Sequence, residues 1–115
     1  MLSIQLHAQN LEKNINRFYG LRVTKNLFGA WTITIQYTQF RMRGPSKLFF
    51  CDTVEEAKMR VYVILKRRLN YNRRMGCKYR IVHIDAEPAV VLEEWIPDFH
   101  TIQNDTHSQY NQSIF

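Results

Sequence analysis

Residues 31–40, WTITIQYTQF, read as the clearest strand of the chain and alternate from Trp31 to Thr38. Trp31, Ile33, Ile35 and Tyr37 fall on one side of an extended chain, and Thr32, Thr34, Gln36 and Thr38 on the other. A strand with one apolar side must lie on a core, so this stretch predicts a sheet with one covered face. Just upstream, residues 17–24, RFYGLRVT, repeat the pattern with Tyr19, Leu21 and Val23 in phase. Asn26-Leu27-Phe28-Gly29 connects them and offers a glycine for positive φ. The pair reads as a β-hairpin.

Downstream, Arg41-Met42-Arg43-Gly44-Pro45-Ser46 reads as a loop broken by Gly-Pro, and Lys47–Cys51 as a short third strand. Thr53-Val54-Glu55-Glu56 is a capping box. The Thr53 hydroxyl can accept from the Glu56 amide, and the Glu56 carboxylate can reach back. The helix is expected from Val54 to Leu69. Ala57, Val61, Ile64, Leu65 and Leu69 form its packing arc, Arg60, Lys66 and Arg67 face away, and Met59 and Val63 share that outer side. Asn70–Gly76 is a basic turn, Lys78–Ile84 a further strand, and Ala89–Leu92 a short edge strand. The expected fold class is α+β: a small antiparallel sheet of four to five strands with one helix packed on it. Residues 1–16 carry no strong turn signal and read as a flexible arm. Residues 17–95 form the domain, and the polar, amide-rich stretch 96–115 reads as a disordered tail.

Composition narrows the function classes. The chain of 115 residues is 45% hydrophobic and 23% charged, which suits one modest core. No stretch is long and apolar enough for a membrane span, and residues 1–10 do not resemble a secretory signal, so a cytoplasmic location is expected. Cys51 and Cys77 have no CxxC spacing and read as free thiols. The histidines are scattered, and no metal site is expected. Nothing resembles a nucleophile elbow, a phosphate-cradling glycine loop or a catalytic carboxylate pair. Enzyme activity, a cofactor and a small-molecule substrate are therefore not expected.

The charge is unevenly placed. Residues 1–80 hold all 16 Lys and Arg against four acids; residues 81–115 hold six acids and neither Lys nor Arg. Between Lys58 and Arg80 lie nine cations and no acid. An ordinary solvated helix face mixes signs, so this run repels itself unless an anion lies nearby.

The residues also carry a family resemblance. Arg17-Phe18-Tyr19 with Leu21 and Val23, then Leu27-Phe28-Gly29, Trp31, Gly44, Glu55-Glu56-Ala57 and Lys66-Arg67-Arg68, in this order, resemble a WGR domain over about residues 14–84. The signature Trp-Gly-Arg falls on Tyr37-Thr38-Gln39, so only aromatic character survives there. The glycine two residues after that arginine falls on Arg41, and Gly44 matches the later one. The resemblance implies the same sheet-and-helix fold, in a bacterial protein, and nucleic-acid binding or protein bridging. WGR domains of poly(ADP-ribose) polymerases contact broken DNA, with the chemistry in a separate domain.

The candidate nucleic-acid-binding residues are Arg41, Arg43 and Lys47 in the loop, Lys66, Arg67 and Arg68 at the helix end, and Tyr71, Arg73, Arg74 and Lys78 in and after the basic turn. Their character suits phosphate contact, DNA more than RNA, with Tyr71 available for stacking. Tyr37, in phase with the core residues, reads as a core-edge aromatic. A rival expectation is a protein-interaction or dimerisation module that has lost DNA binding, docking through Met59 and Val63 or through Val90–Phe99. A further expectation is that the acidic segment Asp85–Asp98 folds over the basic surface and shields it.

Overall fold

The computed structural model describes residues 1–39, 42–70, 77–99 and 109–112, for residues 42, 43 and 109–112 by backbone alone. Four strands form a meander: β1 (Leu2–Asn10), β2 (Ile15–Lys25), β3 (Trp31–Gln39) and β4 (Met42–Cys51). Helix α1 (Val54–Asn70) then carries the chain back over one face, and β5 (Arg80–Ala86) pairs antiparallel with β1. A short β6 (Gln109–Gln112) adds parallel to β5, giving the order β4-β3-β2-β1-β5-β6. The fold is α+β: a five-stranded antiparallel sheet with one helix packed on it, extended by one parallel edge strand.

Residues 1–16 are not a flexible arm. β1 sits between β2 and β5, and Leu2, Ile4, Leu6 and Ala8 are all buried. The turn into β2 uses neither Gly nor Pro. Asn14 takes φ 55°, and the Asn10 side chain accepts from the Lys13 amide at 3.3 Å. Asparagine tolerates this left-handed backbone, so the turn carries a weak local signature.

The hairpin β2–β3 forms as its alternation predicts, with Tyr19 opposite Tyr37 and Leu21 opposite Ile35. Asn26 accepts from the Phe28 and Ala30 amides at 2.9 and 3.0 Å, and Gly29 takes φ 85°. β4 starts at Met42, inside the stretch read as a loop. A bulge around Gly44 and Pro45 absorbs the break, and β4 is an edge strand, where a missing proline N–H is tolerated.

A second bulge decides β5. Leu6 pairs with Ile81 but Gln5 with His83, so Val82 is the extra residue. The slip brings Ile81 and Ile84 onto the same buried face, which strict alternation would forbid.

In α1, Ala57, Val61 and Leu65 are buried against the sheet, while Ile64 and Leu69 are half-buried. The capping box forms: the Glu56 amide donates to Thr53 Oγ1 at 3.1 Å, and the Glu56 carboxylate accepts from the Asp52 amide at 3.3 Å. One helix roughly 10 Å wide cannot cover five strands spaced about 4.8 Å apart. Leu92, Trp95, Ile96 and Phe99 supply further cover and belong to the same core. Ala89–Leu92 is therefore not an edge strand; it leads into a 3-10 turn at Leu92–Glu94. The tail boundary at residue 96 is also corrected. Ile96 and Phe99 are core residues, and 109–112 pair with β5. The other sheet face is open among the described residues and carries Ser3, Gln5, Arg22, Thr34 and Gln36.

Candidate anion-binding site at the end of the helix

The last turn of α1 stands over the tyrosine-rich end of the covered face. Arg68 reaches down from it. Its guanidinium lies 4.6 Å from the centre of the Tyr19 ring and 5.1 Å from that of Tyr37, and Nη2 donates to the Tyr37 hydroxyl. Tyr19 meets Tyr37 edge-on at 4.9 Å and Tyr79 at 6.0 Å. The ring faces are electron-rich, so they hold a cation where a carboxylate would otherwise be expected. Burial pushes the Tyr19 hydroxyl up to about 12, and burial raises Tyr79 as well. Both remain neutral hydroxyls at physiological pH.

Beside this cluster lies a depression of about 450 Å³ lined by Arg17, Tyr37, Gln39, Gly44, Lys47, Arg68 and Tyr79, among others. Arg17 comes from β2 and pairs with Gln39 across the hairpin. Lys47 comes from β4 opposite Ile35. Gly44 lets the β4 backbone close against Tyr37; a Cβ there would come within 3.2 Å of the Tyr37 Cβ and carbonyl oxygen. Three cations from three elements thus converge, and among the described residues no acid lines the depression. The Arg17 Nε is buried with no hydrogen-bond partner among the described residues. A buried charged donor without an acceptor is costly, and a phosphate oxygen is the kind of group that would relieve it.

The structure brings together only part of the predicted set. Lys47 and Arg68 share the depression. Lys66 and Arg67 are exposed on α1, and Arg67 borders a different groove with Phe49 and Val63. Lys78 is exposed just before β5. Arg41, Tyr71, Arg73 and Arg74 lie outside the described residues, as does the Arg43 side chain, whose backbone pairs with Thr38. Tyr37 is a half-buried core-edge aromatic, as its phase predicts, with Arg68 stacked on it. Sequence reading missed Arg17. The signal was available: it lies two residues before Tyr19 and so continues the inward phase of Tyr19, Leu21 and Val23.

The acidic segment does not lie over this depression. Glu94 pairs with Lys58 at 2.5 Å in the first half of α1, and Trp95 packs 6.1 Å from Trp31, at the opposite end of the helix. At the depression the shielding expectation is therefore corrected: Trp95 and Ile96 are committed to the core, which holds their acidic neighbours at the helix N-terminal end, where Glu94 meets Lys58, the first cation of the basic run; Arg73 and Arg74 lie outside the described residues. Among the described residues no cluster of His, Cys, Asp and Glu is suited to a metal, and no helix is long and apolar enough to cross a membrane. Cys51 and Cys77 are free thiols.

Fold and site together define a small sheet-and-helix module with a cationic, tyrosine-walled depression. Comparison with protein-family models, curated proteins and solved structures finds no match.

Proposed function

We propose that the protein is a non-enzymatic nucleic-acid-binding module that holds backbone phosphates at the depression of Arg17, Lys47 and Arg68. The observation that carries this reading is the convergence of three cations with no acid beside them among the described residues, one of them presenting a buried Nε without a described partner. Arg68 is braced by the two tyrosine rings, so little side-chain entropy is lost when it meets a phosphate. Exposed Lys66, Arg67 and Lys78 extend the positive field around the helix end. The likeness to WGR sequences supports the same reading. Gln39 stands where that pattern has arginine, and Arg17 lies directly across the hairpin from it, so a guanidinium occupies that row from the neighbouring strand. The same reading takes the protein to be cytoplasmic and DNA to be preferred over RNA.

Fluorescence anisotropy with labelled duplex DNA, single-stranded DNA and RNA tests it. Binding in the micromolar range or tighter is expected at about 50 mM salt, with log K falling linearly against log salt. Arg17→Gln and Lys47→Gln should each reduce the slope by roughly one. No binding at low salt, or a slope unchanged in both variants, would reject the proposal.

A further inference from the structure

The two edges of the sheet are treated differently. β6 closes the β5 edge, whereas no described strand covers the outer edge of β4. From Leu48 to Cys51 that edge is apolar on both faces. Leu48 is 53% and Phe50 67% exposed on the open face, while Phe49 turns toward the helix. Solitary edge strands usually carry charge, proline or a bulge to prevent pairing. β4 confines its bulge, Pro45 and Lys47 to its first part and leaves residues 48–51 regular and uncharged. Beside Phe49 runs a groove of about 440 Å³ along the outer side of α1, lined by Glu56, Met59, Arg60, Val63 and Arg67. Met59 is 71% and Val63 49% exposed, and the Arg60 guanidinium lies 4.9 Å over the Phe49 ring.

We infer that a second copy of this chain occupies this edge, pairing β4 with β4 antiparallel about a twofold axis at Phe49. The geometry is self-consistent on three counts. Centred there, Leu48 of one copy faces Phe50 of the other on the open face, and Phe49 meets Phe49 on the helix face. α1 lies chiefly across β3 and β4. With strands about 4.8 Å apart, its axis lies roughly 5 Å from the twofold, so the two helices come about 10 Å apart, an ordinary packing distance. The helices then run antiparallel, and their charges match. With the centre between Val61 and Tyr62, Glu56 of each copy faces Arg67 of the other, with Met59 and Val63 between the two pairs. This matching selects a second copy over an unrelated strand: the stripe Glu56–Met59–Val63–Arg67 is complementary to itself reversed. Each copy carries a net charge of +6, but the charge outside the interface is screened over about 8 Å at physiological salt.

Sedimentation of the full chain across a concentration series, with circular dichroism as the folding control, tests the pairing. The expected species is twice the 13.8 kDa chain mass at about 100 µM, dissociating on dilution. Val63→Glu, at a solvent-facing position, should give a folded monomer throughout. Arg67→Glu should weaken the dimer about tenfold by opposing two carboxylates, and adding Glu56→Arg should restore it. The second copy is overturned if the wild type stays at monomer mass at about 200 µM, well above ordinary homodimer dissociation constants, which leaves the edge to a strand from another protein. A dimer indifferent to Val63→Glu, or a folded double variant that does not regain association, overturns it equally.

Discussion

Replacing Arg68 by Ala is the sharpest probe of the tyrosine cluster. The guanidinium makes two ring contacts, to Tyr19 and Tyr37, and one charge-assisted hydrogen bond to the Tyr37 hydroxyl. Each ring contact is worth about 0.5–1 kcal/mol, and the hydrogen bond about 1.5 kcal/mol, the low end for a charged donor because Tyr37 is half-buried and water can take over. The total is about 2.5–3.5 kcal/mol, close to what loss of a buried leucine side chain costs. For a chain of this length about 4 °C of melting temperature corresponds to 1 kcal/mol, so a fall of roughly 10–14 °C is expected in thermal denaturation followed by circular dichroism. Arg68→Lys keeps the charge but loses the planar stack and should recover less than half of the fall. A change below about 2 °C for Arg68→Ala would show that the guanidinium is solvated rather than packed, and would refute the claim that the tyrosines hold it in place for a phosphate.

Other consequences reach the rest of the molecule. Leu6→Ala should cost about 3 kcal/mol in urea unfolding, because Leu6 is fully buried between β2 and β5; a surface arm would lose almost nothing. Tyr19 is protonated in both the folded and unfolded states below pH 10, where its contribution is fully present. It is lost as pH rises from 10 towards about 12, in all about 3 kcal/mol, so Tyr19→Phe should flatten the decline of melting temperature in that window. Gly29→Ala forces a Cβ onto a backbone at φ 85° with nothing but Lys25 Cε near it, so it should cost about 1 kcal/mol from conformation alone, readable as a melting shift of roughly 4 °C. Gly44→Ala meets Tyr37 backbone and side chain at 3.2 Å, and should also weaken nucleic-acid binding by distorting the depression, which the anisotropy assay would register.

What could be read along the chain was local. The β2–β3 hairpin, the capped helix and its inward arc each depend on residues a few positions apart, so periodicity and capping chemistry were sufficient to find them. The same reading failed at β1, where the turn used Asn10 and Asn14 rather than glycine, and at β4, where Gly44-Pro45 marked a bulge instead of a loop. Alternation in Leu2, Ile4, Leu6 and Ala8 says that these residues share a face; it does not say which strands lie on either side. That choice follows from burying them between β2 and β5, whose residues are separated by more than fifty positions in the chain.

The candidate site divides the same way. The sequence alone determined that the chain is basic through Arg80 and acidic after it, that the helix ends in Lys66-Arg67-Arg68, and that Tyr37 lies in phase with the core. Only the tertiary structure decided which of those cations meet. Residues 66, 67 and 68 are consecutive, yet a helix turns about 100° per residue, so Arg68 enters the tyrosine cluster while Arg67 borders the β4 groove. Arg17, more than fifty residues from Arg68, joins it because β2 runs beneath the end of the helix. The segregation of acids to the other end of α1 was equally invisible along the chain, since it follows from Trp95 and Ile96 entering the core at the helix N-terminal end, and apolar burial outweighs any attraction that exposed carboxylates would have for the basic surface.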